Sequence, residues 1–144
     1  MPSSLTELIQ SLADRGERMT RTRRAVLEAL AAADGPVSVR ALHQAVGPRR
    51  VDLVTVYRTL HWLAELGAAR AVLTGGAAEL YELADPGEHT HHLLCDECGA
   101  VATVRVCGVD PAVAGRIERE HGFSVSQHRL TFHGRCRECA ARGG

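Results

Sequence analysis

Two Cys-x-x-Cys pairs constrain this chain more than anything else in it. Cys95 and Cys98 form the first pair and Cys136 and Cys139 the second. Such a turn points both sulfurs at one place, and two of them build a closed four-thiolate site that suits Zn²⁺. A single pair would also fit a redox couple; two pairs, each beside strand-forming residues, favour zinc. Four thiolates leave no open coordination position, so this metal is expected to be structural. Gly99 follows the first pair and permits a sharp turn of the backbone. Cys107 is the odd cysteine, read first as a small buried hydrophobe, with redox sensitivity or a spare metal ligand as alternatives.

A disulfide framework is not expected. The start of the chain, MPSSLTELIQSLADRGERM, lacks the basic stretch and apolar run of a secretory leader. No apolar run approaches the ~20 residues of a membrane span. A cytoplasmic location with no membrane partner is therefore expected, where thiols stay reduced.

The cysteines also divide the chain. Residues 1–84 contain none, whereas all five Cys and six of the eight His fall in 89–144. The seam is ADPGE (84–88), a turn-like segment. The expected organisation is a first domain over 1–84, a hinge over 85–91 and a second domain over 92–144.

The first half reads as helices followed by a hairpin. Leu5, Leu8, Ile9 and Leu12 recur at helical spacing, with Gly16 as a stop. Val26, Leu27 and Leu30 mark a second helix. Ser38 is a good N-cap for a third, carrying Val39, Leu42 and Val46. Leu53, Val56, Leu60 and Leu63 predict a buried stripe on a fourth, over roughly 52–66. Two strand-like runs around Gly75-Gly76 predict a hairpin. Helices followed by a two-stranded wing is the order of a winged helix-turn-helix, which lays its last helix in the DNA major groove. The exposed face of that helix would carry Thr55, Tyr57, Arg58 and His61. RGERMTRTRR (15–24) adds five Arg against one Glu, a local positive cluster suited to phosphates. The whole chain is formally neutral, so overall charge neither predicts nor excludes a nucleic-acid partner.

The second half reads as strands with one helix. HHLLC (91–95) and AVATVRV (100–106) flank the first knuckle. PAVAGRIEREHGF (111–123) reads as a helix stopped by Gly122, and SVSQHRLTFHG (124–134) as one long strand. Alternate strand residues share a face, so His89 and His91 point together. His128 on a neighbouring strand and the carboxylate of Asp110 would complete a second metal site with them. No HExxH or related pattern accompanies these histidines, so a metal enzyme is not expected.

The segments TVYRTL (55–60), YEL (81–83), HTHHLLCDECG (89–99), HRLTFHGRC (128–136) and CREC (136–139) resemble, in their order, the ferric uptake regulator family of metal-dependent repressors. That resemblance covers nearly the full length. It implies an α+β protein: an N-terminal winged helix-turn-helix plus a small C-terminal α/β dimerisation domain with a four-cysteine zinc site. It further implies a homodimer that binds double-stranded operator DNA and represses metal-homeostasis genes. Cys95, Cys98, Cys136 and Cys139 match the family's structural zinc ligands. His89, His91, Asp110 and His128 match a second, regulatory site, where Asp110 stands for the more usual Glu. Tyr57 and Arg58 match DNA-contacting positions, and Arg18 and Arg23 match basic positions around the second helix. The family's usual hinge site is not matched: Pro36, Arg70, Ala84 and Thr90 stand where ligands are expected, leaving Glu82 and His92. The expected function is a metal-dependent repressor, with Zn²⁺ preferred over Fe²⁺ or Mn²⁺ at the second site. An iron- or manganese-responsive regulator, or a peroxide or redox sensor on the same scaffold, is the alternative.

Overall fold

The computed structural model describes residues 5–72, 79–84 and 89–143. The expected turn at Gly75-Gly76 and most of the ADPGE seam, residues 85–88, lie outside the described residues. Two compact units divide the chain, Met1–Gly87 and Glu88–Gly144. His89 and His91, read from the sequence as part of a hinge, fall in the second.

The first unit contains α1 (Leu5–Asp14), α2 (Arg21–Ala31), β1 (Val37–Ser38), α3 (Val39–Val46), α4 (Leu53–Glu65), β2 (Ala69–Val72) and β3 (Leu80–Leu83). Local chemistry sets its helix starts. Thr20, Ser38 and Asp52 cap α2, α3 and α4 by accepting from Arg23, Ala41 and Thr55 backbone N–H groups, satisfying donors that a helix start otherwise leaves open. Strands β2 and β3 pair antiparallel, Ala69 opposite Leu83 and Val72 opposite Leu80. The short β1, which periodicity could not reveal at two residues, joins β3 to give the order β1-β3-β2.

Helices and sheet close on a core of Leu12, Val26, Leu27, Leu42, Leu60 and Leu63, all nearly inaccessible, with Tyr81 from β3. Each such Leu or Val stabilises the unit by about 1.5–3 kcal/mol through burial. The stripe on α4 differs from expectation at one end. Leu53 is 38% exposed, and Thr59 is buried beside Val56, Leu60 and Leu63 instead. Leu53 sits in the first turn, beyond the reach of the core. Thr59 is tolerated inside because its hydroxyl donates to Thr55 O at 2.8 Å.

The second unit contains β4 (His91–Cys95), β5 (Val101–Val104), α5 (Ala112–His121), β6 (Thr131–Gly134) and α6 (Arg137–Arg142). The sheet order is β5-β4-β6. Strands β4 and β5 are antiparallel, whereas β4 and β6 run parallel, with His92 opposite Thr131 and Cys95 opposite Gly134. The long strand expected over 124–134 is only its last four residues. The preceding segment has no ladder partner among the described residues, although His92 N still donates to Leu130 O at 3.0 Å. Gly122 ends α5 in the left-handed conformation, φ 63°, which glycine adopts without steric cost.

This unit buries little. Helix α5 has no buried residue and all four residues of β6 are exposed. Its buried positions among the described residues are Thr90, His91, His92, Leu94, Cys95 and Cys139, of which Leu94 alone is a hydrocarbon side chain. A unit this small and this poor in apolar core needs stabilisation from metals or from association.

Candidate metal centres

The first knuckle is made where β4 ends. Gly99 N donates to Cys95 O at 2.9 Å, and Gly99 has φ +72°, so the turn closes only with glycine at low cost. The second is made where α6 begins, with Cys136 as its N-cap and Cys139 inside its first turn. The parallel pairing of Cys95 with Gly134 brings the two together. The four Sγ atoms of Cys95, Cys98, Cys136 and Cys139 lie within 4.8 Å of one another. Backbone donors already face this sulfur cluster: Cys136 N lies 3.3 Å from Cys95 Sγ and Cys139 N lies 3.4 Å from Cys136 Sγ. The Cys136 hydrogen bond, with others from Cys98 and Glu97, brings the Cys95 thiol down to about 6. The thiol of Cys136 and burial push Cys139 the other way. Four sulfurs this close cannot all ionise without a cation among them, and this donor set suits Zn²⁺. Arg135 and Glu97 form an ion pair between the two knuckles.

A second cluster lies near the start of β4. His89, His91 and His128 converge: His89 Nε2 is 2.9 Å from His128 Nε2, and the rings of His89 and His91 are 4.8 Å apart in an edge arrangement. The fourth group is not the expected one. Cys107 Sγ lies 3.2 Å from His128 Nε2, and His89, His91, Cys107 and His128 offer ligand atoms all within 4.8 Å. Asp110 lines the same cleft, but its Oδ1 accepts from Ala112 N at 2.8 Å, at the head of α5.

His91 is the centre of this group. It is wholly buried, its Nδ1 faces Leu130 N at 3.2 Å, and its Nε2 has no hydrogen-bond partner among the described residues. A buried ring nitrogen left unpaired costs about 1–3 kcal/mol. With Nδ1 accepting, the neutral ring keeps its proton on the orphaned Nε2. Moving that proton to Nδ1 frees Nε2 for a metal and gives up the Leu130 contact. Burial, followed by the nearby His89, His128 and His92, lowers the pKa of His91 and favours the neutral ring, the form that ligates. Both donor sets therefore fit divalent metals, the first as four thiolates and the second with three imidazoles.

Of the two residues left at the expected hinge site, Glu82 is buried and ion-paired with Arg70. His92 is buried on β4. Arg70 thus engages the carboxylate from the very position where the resemblance places a hinge ligand.

On the first unit, α4 exposes Tyr57, Arg58 and His61. Thr55 is turned inward to its own cap, its N and Oγ1 donating to Asp52 at 2.8 and 2.7 Å. Arg18 is exposed, while the guanidinium of Arg23 lies 3.9 Å over the Trp62 ring and donates to Arg18 O at 2.8 Å. Arg23 therefore ties the Arg-rich turn to α4. Among the described residues, no helix is long and apolar enough to cross a membrane.

Comparison with known proteins identifies the family and the fold. The profile of the ferric uptake regulator family matches residues 14–133. The ferric uptake regulation protein of Bacillus subtilis is 41% identical over 91 residues, 62% of this chain and 60% of that protein, so this match spans less than two thirds of that relative. The peroxide operon regulator of the same organism is 28% identical over 140 residues, 96% of this chain and 94% of that protein. A solved zinc uptake regulator complexed with zinc and DNA superposes with a TM-score of 0.67 at 26% identity, covering 96% of this chain and 94% of that one. The chain belongs to the ferric uptake regulator family, whose members are transcriptional regulators and not enzymes.

Proposed function

We propose that this protein is a zinc-responsive repressor of metal-homeostasis genes. In this reading residues 1–84 bind operator DNA, 85–91 join the halves and contribute His89 and His91 to the second metal site, and 92–144 supply the other metal ligands and dimerise. The observation that carries it is the His89–His91–His128 cluster, with a fully buried ring nitrogen that has no partner among the described residues. The likeness to a zinc uptake regulator bound to zinc and DNA supports the choice of metal and partner.

Cys95, Cys98, Cys136 and Cys139 hold the structural Zn²⁺, which supplies folding energy to a unit with little core of its own. His89, His91 and His128 hold the second divalent metal, with Zn²⁺ ahead of Fe²⁺ or Mn²⁺ because imidazole-rich sets suit it. A pair of chains places two α4 helices in successive major grooves, where Tyr57 and Arg58 reach base edges and Arg18 a phosphate. The exposed Val106, Phe123 and Phe132 of the second unit support a homodimer. His89 and His91 lie at the end of the joining segment, so gathering the three histidines restrains that segment and favours the dimer geometry that fits DNA. A coupling of about 1–3 kcal/mol changes DNA affinity roughly 5- to 150-fold.

The test is fluorescence anisotropy of operator DNA against buffered free Zn²⁺, with Mn²⁺ and Fe²⁺ in parallel. Zinc beyond the structural equivalent is expected to switch binding on, and His128→Ala to abolish the switch without loss of fold. Activation by Mn²⁺ or Fe²⁺ alone would overturn the metal assignment.

A second reading on the same scaffold is a peroxide-responsive regulator. The exposed thiol of Cys107 beside His128 and the likeness to a peroxide operon regulator favour it. It requires a one-oxygen mass increment on a ligand residue after peroxide treatment, together with release from DNA.

A further inference from the structure

We propose that Cys107 Sγ is a ligand of the second metal site, completing an N₃S set with His89, His91 and His128 in place of the carboxylate of Asp110. This deepens the reading above and rests on it. Three observations carry it.

The first is convergence. Cys107 Sγ is 3.2 Å from His128 Nε2, and it shares with His89, His91 and His128 a space in which all ligand atoms lie within 4.8 Å. The second is the orphaned Nε2 of the buried His91, a polar atom that no described residue satisfies and that can ligate once its proton moves to Nδ1. It marks the cluster as built for a ligand and not as a chance meeting of exposed side chains. The third is the position of Asp110. Its Oδ1 accepts from Ala112 N at the start of α5, and among the described residues it stands outside the group whose ligand atoms lie within 4.8 Å of one another.

Cys107 precedes Gly108 in the segment between β5 and α5, which carries no regular structure. That freedom lets the thiol turn toward the histidines without disturbing either element.

The chemical consequence is selectivity. Exchanging a carboxylate for a thiolate makes the set softer and completes four-coordination from side chains alone. Such a site prefers Zn²⁺ or Co²⁺ to Mn²⁺ and excludes Mg²⁺ or Ca²⁺, which need oxygen ligands. The chain would discriminate metals by the sulfur.

The experiment adds Co²⁺ anaerobically to protein that retains one zinc per chain, with zinc content checked afterwards. The expected result is a second bound equivalent with an intense tetrahedral visible spectrum and a near-ultraviolet thiolate-to-cobalt charge-transfer band. Cys107→Ser should lose that band and weaken cobalt binding by roughly tenfold or more, at least the effect of removing an outer-shell partner. Cys107→Asp should lose the band but keep a bound, weakly coloured metal. Asp110→Asn should keep the band. A charge-transfer band unchanged in Cys107→Ser, or lost in Asp110→Asn, would overturn the proposal while leaving the second site standing. If no second equivalent binds to the unmodified chain, the proposal and the second-site reading fail together.

Discussion

Arg23 and Arg18 sit five residues apart and do different work. Arg23 stacks on Trp62, and Trp62 Nε1 donates to Glu17 Oε2 at 3.3 Å, so the turn before α2 is fastened to the flank of α4. Arg23→Ala is expected to lower stability by about 0.5–1 kcal/mol through loss of the cation–π contact, and to weaken DNA binding by loosening that turn. Arg18→Ala should leave the melting temperature unchanged. Instead it should reduce the slope of log K against log salt by roughly 0.9 for the lost phosphate contact. Denaturation and a salt titration of anisotropy separate the two. At the thiolates, Cys136→Ser is expected to lose the structural zinc and unfold the second unit, read by circular dichroism and metal content. A folded, zinc-loaded dimer in that variant would sink the four-thiolate assignment.

Helix α4 rests on a cap that is also a pH sensor of modest reach. Asp52 accepts from both the N and the Oγ1 of Thr55, and the Thr55 hydroxyl is the first cause holding its carboxyl below the ordinary value of 3.8. A depressed carboxylate contributes stability that is present above its unfolded pKa and is lost as pH falls through the folded one. Acidification below that window should therefore destabilise α4 in the wild type, while Asp52→Asn, itself a good cap, should be flat over the same range. Thermal melts at stepped pH check this.

The same elements show what is legible in a chain of letters. Ser38 as a cap and Gly122 as a stop can be read directly, because each depends on its immediate neighbours. The knuckles are legible because a spacing of two intervening residues dictates the geometry. The identity of the fourth group near His128 is not, because Cys107 and Asp110 are three residues apart in an irregular segment and only tertiary placement separates them. Strand β6 is shorter than the strand expected over 124–134 for a related reason: its partner β4 begins only at His91, and the ladder between them starts at His92 and Thr131.

At the scale of the whole molecule, the exposed phenylalanines of the second unit, Phe123 and Phe132, suit burial against a second copy. Phe123 is 66% exposed at the end of α5. Burying a Phe fully stabilises by about 1.5–3 kcal/mol, so Phe123→Glu should weaken the dimer by roughly tenfold or more in sedimentation equilibrium, with the structural zinc retained. If the dimer is unaffected, its interface lies elsewhere.

The parallel pairing of β4 with β6 has a consequence in time. A parallel neighbour cannot arrive through a tight turn; it must be fetched across a crossover. Cys98 and Cys136 are 38 positions apart, and closing a loop of that length costs ~3 kcal/mol of chain entropy. The core of the winged unit lies wholly upstream of that loop. During synthesis the half proposed to read DNA can therefore fold first, while the half that would pair and sense metal waits for its last two sulfurs to be made. A newly made chain would then hold a finished reading head before it could form the dimer that gives it an address on DNA.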